Sequence, residues 1–104
     1  MTLASICVEP QHIGCKVKLQ GEVAGECVAI IERQIMESTQ GQSDVEVDLS
    51  GVSMMDFVGL LAMLKVKRRA SCMLRFTNHS PAVLRTLEAA GKLQVGQFSG
   101  LRAA

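Results

Sequence analysis

The stretch Val45-Glu46-Val47-Asp48-Leu49-Ser50-Gly51-Val52-Ser53-Met54-Met55-Asp56-Phe57-Val58-Gly59-Leu60-Leu61-Ala62-Met63-Leu64 changes its hydrophobic period part-way, and that change decides the fold. Val45, Val47 and Leu49 alternate with Glu46 and Asp48, the period of a strand with one face buried and one in water. Ser50-Gly51 and the residues up to Met55 predict a loop. Asp56 then offers a carboxylate as N-cap, and a helix is expected from there to about Ala70. The last turns of that helix carry Lys65, Lys67, Arg68 and Arg69, which complement the negative pole of a helix dipole.

The segments on either side repeat the pattern. Residues 3–8 (LASICV) and 15–19 (CKVKL) both alternate, and Pro10 and Gly14 bracket a turn between them, so the pair reads as an antiparallel hairpin. Beyond a break at Gly21-Glu22, Ala24, Val28, Ile31 and Ile35 recur at helical spacing, predicting a helix over about 23–38. Downstream, residues 72–76 (CMLRF) alternate once more. Ser80-Pro81 then supplies an N-cap and a proline at the first helical position, Val83, Leu84 and Leu87 an apolar side, and Gly91 a stop. A short strand or turn is expected near 94–98, with a weakly ordered tail over 96–104.

Strands covered by helices on both faces read as continuous apolar runs. These alternate instead, so one face of the sheet should be covered and the other solvated. Two successive right-handed crossovers adding strands in one direction place their helices on the same side. The expected architecture is a two-layer α/β domain: a four-stranded, mostly parallel sheet of order 1-2-3-4, strand 1 antiparallel, with three main helices on one face. One domain spans residues 1–104, with its core over about 3–95. The acidic strand 45–49 would lie between basic strand 15–19 and the strand carrying Arg75, pairing charges across the open face.

Composition narrows the function classes. The 104 residues carry a formal net charge of +1, which supplies no global attraction to nucleic acid or an anionic membrane. The residues from Met1 to Pro10 lack the basic start of a signal peptide, and the uncharged run Phe57–Leu64 is too short to span a bilayer, so a cytoplasmic location is expected. Cys7, Cys15, Cys27 and Cys72 form no C-x-x-C pair or zinc-like cluster, which points to reduced, mostly core cysteines and to no metal or other cofactor. The hairpin leaves open that Cys7 and Cys15 face one another, although a cytosolic setting argues against a stable bridge. His12 lies near Cys15, but neither it nor His79 has an identifiable catalytic partner, and no enzymatic activity is expected.

Functional loops of such a sheet gather at the carboxyl ends of its parallel strands: Gly21-Glu22-Val23, Ser50 to Gly59, and Thr77 to Ser80. The middle loop stands out. From Phe57 to Leu64 the helix carries no charge for two turns, more apolar surface than one face can bury, and Met54 and Met55 extend it into a rim. Phe57 is an aromatic anchor of the type that dominates binding energy when it fills a partner's pocket. The run Lys65–Arg69 reads as a solvated helix end or as a contact for an acidic partner.

Leu19-x-Gly21-Glu22-Val23, Val47-Asp48-Leu49-Ser50-Gly51-Val52, Met55-Asp56-Phe57-Val58-Gly59-Leu60, Asn78-x-Ser80-Pro81-Ala82-Val83, and Leu87 with Gly91 occur in the order typical of STAS domains. Over residues 15–95 the chain resembles that family, which includes anti-sigma-factor antagonists and cytoplasmic domains of sulfate transporters. The resemblance implies the same fold and a regulatory, protein-binding role. In the family, the residue directly after the helix-opening Asp is usually a Ser or Thr that a kinase-like anti-sigma factor phosphorylates; here Phe57 and Val58 stand there, and neither can accept phosphate. Ser50, Ser53 and Ser80 lie nearby and fit turns and caps. The resemblance implies partner contacts at Glu22, Ser53, Met55, Asp56, Phe57, Val58, Gly59 and Leu60. It offers two partner classes: a kinase-like anti-sigma ATPase, or the ATPase of an ABC transporter, since similar one-domain STAS proteins are subunits of bacterial phospholipid-trafficking systems. A sensor for a small ligand (nucleotide or lipid) and a homodimer through the apolar rim are the alternatives.

Overall fold

A computed structural model describes residues 5–90. The elements run β1 (Ser5–Pro10), β2 (Cys15–Val23), α1 (Cys27–Thr39), β3 (Asp44–Met55), α2 (Phe57–Arg69), β4 (Met73–Thr77) and α3 (Pro81–Ala89). The sheet has the order β1-β2-β3-β4, with β1 antiparallel to β2 and the remaining pairs parallel, as the alternation and crossover rules require. Gly91 and the tail lie outside the described residues, and so do the strand or turn expected near 94–98 and the start of the strand expected from residue 3.

One face of the sheet builds the core. Val17, Leu19, Val45, Val47, Leu49, Leu74 and Phe76 are buried against Val28, Ile31 and Ile35 of α1, Leu60, Met63 and Val66 of α2, and Val83 and Leu87 of α3. Each fully buried side chain of this size contributes about 1.5–3 kcal/mol of hydrophobic stabilisation. Leu84, expected on the same side as Val83 and Leu87, is instead 37% exposed, because nothing covers that flank of α3 among the described residues.

Both central strands are longer than their alternation predicts. β2 and β3 stay paired as far as Gly21↔Val52, Glu22↔Met54 and Val23↔Met55, through register shifts between Lys18 and Gln20 and between Gly21 and Glu22. The expected loop over 50–55 is therefore strand, and its turn-forming residues sit at irregularities. Gly21 adopts φ 95, a left-handed conformation that glycine takes without the Cβ penalty. Beyond Leu49 the buried positions of β3 fall three apart, at Val52 and Met55, so the period of two is lost and the sequence no longer reads as strand.

The helix expected from residue 23 begins four residues later for a related reason. Val23 is held in the sheet by Met55, and Gly25 (φ 59) turns the chain before α1 can start at Cys27. Ala24 therefore precedes the helix. The two other N-termini follow the expected chemistry. Asp56 accepts a hydrogen bond from the Gly59 N–H at 2.8 Å, and Ser80 accepts one from the Val83 N–H at 3.2 Å with Pro81 opening α3.

The hairpin register pairs Cys7 with Lys18 and Cys15 with Pro10, so the two cysteines are not opposite one another. Cys7 is exposed while Cys15 is buried, its thiol directed at the Ser38 carbonyl at 3.8 Å.

Candidate functional site

The site is built where β2 and β3 end together. The Val23 carbonyl accepts from the Asp56 N–H at 3.4 Å, which ties the start of α2 to the end of β2. Asp56 has both carboxylate oxygens engaged: Oδ1 takes the Gly59 N–H, and Oδ2 takes the Gly25 N–H at 3.1 Å from the β2–α1 turn. Gly59 lies so close to β2 that a Cβ there would run into the Val23 carbonyl oxygen, and only glycine allows this approach. Asp56 and Gly59 thus join β2, the β2–α1 turn and α2 at one corner.

This clamp fixes which way the first turn of α2 faces. Gly59, Leu60, Ala62, Met63 and Val66 turn inward. Phe57, Val58 and Leu61 remain 46%, 55% and 50% exposed, and Met54 at the end of β3 is 45% exposed beside them. The apolar run therefore divides into a core face and an exposed face. Of the eight residues expected to contact a partner, Phe57, Val58 and Ser53 are exposed, and Glu22 and Asp56 are half-buried. Gly59, Leu60 and Met55 are buried and support the surface from beneath. Leu61 completes the exposed face four residues after Phe57, a spacing legible in the sequence.

On the α3 side the rim descends into an open cleft of about 570 Å³. Met54, Met55 and Phe57 form one wall, and Ala82, Arg85, Thr86 and Ala89 form the other. Thr86 braces the two walls: its hydroxyl donates to the Met55 carbonyl at 2.7 Å, and lies 3.1 Å from the Ala82 carbonyl. No sequence signal marked this face of α3 as a contributor, because Ala82, Arg85, Thr86 and Ala89 recur at ordinary helical spacing. With Asp56 and Thr86 engaged internally, Arg85 is the charged side chain of the cleft with no ion pair among the described residues.

Among the described residues the opposite face of the sheet carries no helix, and its charges pair with one another. Lys16 lies 3.5 Å from Asp48 and 3.9 Å from Glu46, Lys18 lies 3.3 Å from Glu9, and Arg75 lies 3.3 Å from Asp44. The Thr77 hydroxyl donates to Glu46 at 2.8 Å. Asp48 is the buried member, 4% exposed, and accepts from the Ser50 N–H at 2.8 Å and the Asn78 amide at 3.2 Å. Burial alone would raise its carboxyl pKa. The Ser50 hydrogen bonds, the Asn78 amide and Lys16 outweigh burial and hold it below the ordinary carboxylate value.

Of the residues weighed for catalysis, His12 is exposed in the hairpin turn and Cys15 is buried, which pushes its thiol up, away from the reactive thiolate. His79 is half-buried beside Ser80, and burial holds its imidazole below the usual value.

A family profile described as "Mlab, STAS domain" matches residues 8–95. The chain belongs to the STAS family. Solved structures agree at the level of the fold. The anti-sigma factor antagonist SpoIIAA in its unphosphorylated form aligns with a TM-score of 0.60 at 18% identity, covering 84% of this chain and 81% of that one. An anti-sigma factor antagonist from Mycobacterium paratuberculosis aligns with a TM-score of 0.70 at 19% identity, covering 86% and 79%. Within SLC26A9, a much longer chain, 18% of the length aligns with 85% of this one at a TM-score of 0.66 and 14% identity. No protein of curated function matches the sequence significantly. Within this STAS domain, the helix-opening Asp and the glycine three residues later are explained by the Asp56–Gly59 clamp, which is independent of what stands between them.

Proposed function

We propose that this STAS domain is a non-enzymatic regulatory module that binds a protein partner through the exposed start of α2, with Phe57 as its anchor. The observation that carries this reading is the contrast between a closed core and four neighbouring large apolar side chains, Met54, Phe57, Val58 and Leu61, left in water at the carboxyl ends of the strands. A rigid helix start, tied by Asp56 and Gly59 to β2, presents these groups with little ordering cost on binding.

The family's phosphate switch would act at the position of Phe57, and phosphate there would add nearly two negative charges to a partner contact. With an aromatic ring in its place the contact is permanently apolar. That favours a constitutive subunit contact, as to the ATPase of an ABC transporter in phospholipid trafficking, over a phosphorylation-controlled contact with a kinase-like anti-sigma ATPase. A small-ligand sensor has less support: the cleft beside Phe57 is open, and two of its polar groups, Asp56 and Thr86, are engaged internally.

The deciding test is affinity capture from the native host with the tagged protein and its Phe57→Asp variant, each checked for folding by circular dichroism. The wild type should retain one stoichiometric partner that the variant loses. A transport ATPase in the eluate places the protein in a transporter, and a histidine-kinase-like ATPase places it in sigma-factor control. Equal retention by the two proteins overturns the α2 interface.

A further inference from the structure

The exposed face of α2 continues past the apolar rim. Phe57, Leu61, Lys65 and Arg68 follow one another at intervals of four, four and three residues, the spacing of a single ridge along a helix. The first two turns of the ridge are apolar and the last two are cationic. Lys67, in the same basic run, turns aside and donates to the Leu74 carbonyl at 2.9 Å, so it caps β4 and does not face outward. Two of the remaining three cations share one carboxylate: Glu32 of α1 lies 3.3 Å from Lys65 and 3.8 Å from Arg69, and Arg68 has no ion pair among the described residues. The Lys65 and Arg69 side chains are 50% and 60% exposed. Positive charge is therefore in excess along this half of α2, whereas the cations of the open sheet face are each matched by carboxylates.

We infer that the protein partner carries, beside the apolar socket for Phe57 and Leu61, a cluster of carboxylates that meets Lys65, Arg68 and Arg69. This rests on the proposed α2 interface and specifies its chemistry. At a rise of about 1.5 Å per residue the carboxylates lie roughly 12–18 Å from the Phe57 socket, along the helix axis. Arg85 flanks the rim on the other side, across the cleft, and extends the demand for negative charge to the α3 edge. A second copy of this chain does not meet these requirements. A two-fold axis through the rim would pair the two apolar halves but carry the two cationic halves away from each other with no carboxylates opposite them, and an axis along α2 would oppose cations to cations. Complementary charge of this kind acts chiefly on the rate of encounter, and its effect fades with salt.

The test uses the partner captured by the wild-type protein, identified and purified, and follows association by stopped flow or biosensor across a salt series. Arg68→Glu and Lys65→Glu should each slow association about 3–10-fold at low ionic strength, with the difference from wild type vanishing at about 1 M salt. Lys18→Glu, the same change of charge on the open sheet face, should slow it far less. If the α2 reversals behave like Lys18→Glu while Phe57→Asp still abolishes binding, the carboxylate cluster is refuted and the α2 interface stands. If Phe57→Asp binds normally, or the wild type retains no partner, the interface itself fails and this inference with it. Sedimentation with vesicles containing anionic phospholipid separates the other source of negative charge: binding by wild type that Arg68→Glu removes would assign the basic half to a membrane surface and overturn the proposal.

Discussion

The open face of the sheet and the outer face of α2 handle their side chains in opposite ways. On the sheet, Lys16, Glu46, Asp48, Thr77 and Asn78 satisfy one another within the chain, and even the buried Asp48 has three partners. On α2, Phe57, Val58 and Leu61 stay in water, and Lys65 and Arg69 divide a single carboxylate. A surface that is complete in the isolated molecule contributes to stability, and one that is left incomplete is available for recognition. Substitutions on the sheet should therefore be read out by unfolding, and those on α2 by association.

The largest effect is expected at the joint between the two regions. Gly59→Ala would press a Cβ onto the Val23 carbonyl, and neither the strand end nor the capped helix start can retreat without breaking the Asp56 hydrogen bonds. Overpacking against backbone should cost about 2–3 kcal/mol, read as a lower urea midpoint with an unchanged slope. A cost well under 1 kcal/mol would show that the corner is loose, and that the outer face of α2 is not held in one orientation.

Next in size is Asp48. Its truncation to Ala strands the Ser50 N–H, the Asn78 amide and Lys16 together, and should cost about 2 kcal/mol while leaving any partner bound. The pH dependence has a definite sign. A carboxyl whose folded pKa lies below its unfolded value of about 3.9 releases its proton more readily when folded, so its contribution is complete above that value and is lost as the pH falls through the folded pKa. Asp48→Asn should flatten the acid limb of the stability profile, measured by chemical unfolding between about pH 2.5 and pH 6. An unchanged acid limb would mean that the open face is no more self-contained than α2.

These two sites differ in how legible they were. The strand alternation of residues 15–19, 45–49 and 72–76 fixes one buried face, and with the crossover rule it yields the observed strand order. Asp56 and Ser80 announce their helices because capping is local chemistry. The continuation of β2 and β3 to Val23 and Met55 was hidden because register shifts spoil the period of two, and because Gly21, Ser50 and Gly51 read as turn residues out of context. The role of Asp48 was hidden too. Alternation assigns it to the solvated face, whereas Asn78, contributed by the β4–α3 loop 30 residues away in sequence, covers it. Contacts of that kind are set by tertiary neighbours, and no local pattern encodes them. For the same reason the sequence flagged the whole of Phe57–Leu64 as suspiciously apolar but did not divide it into inner and outer faces, which required the direction that the Gly59 contact imposes.

The smallest expected change in stability sharpens the comparison most. Leu61 and Ile13 are both large, apolar and exposed, at 50% and 65%, but Leu61 lies on the α2 ridge, and Ile13 lies in the β1–β2 turn at the opposite ends of the strands. If exposure alone marked a binding surface, charging either residue would weaken association equally. If the ridge matters, Leu61→Glu and Ile13→Glu should both leave stability within about 0.5 kcal/mol of wild type, as exposed substitutions generally do. Only Leu61→Glu should then weaken partner binding, by about 30-fold or more if it shares the anchor role of Phe57. Equal weakening by the two variants would move the interface off α2 or spread it around the domain. A loss of stability confined to Leu61→Glu would show that this face is part of the core after all, and that the division into a finished sheet face and an unfinished helix face is drawn in the wrong place.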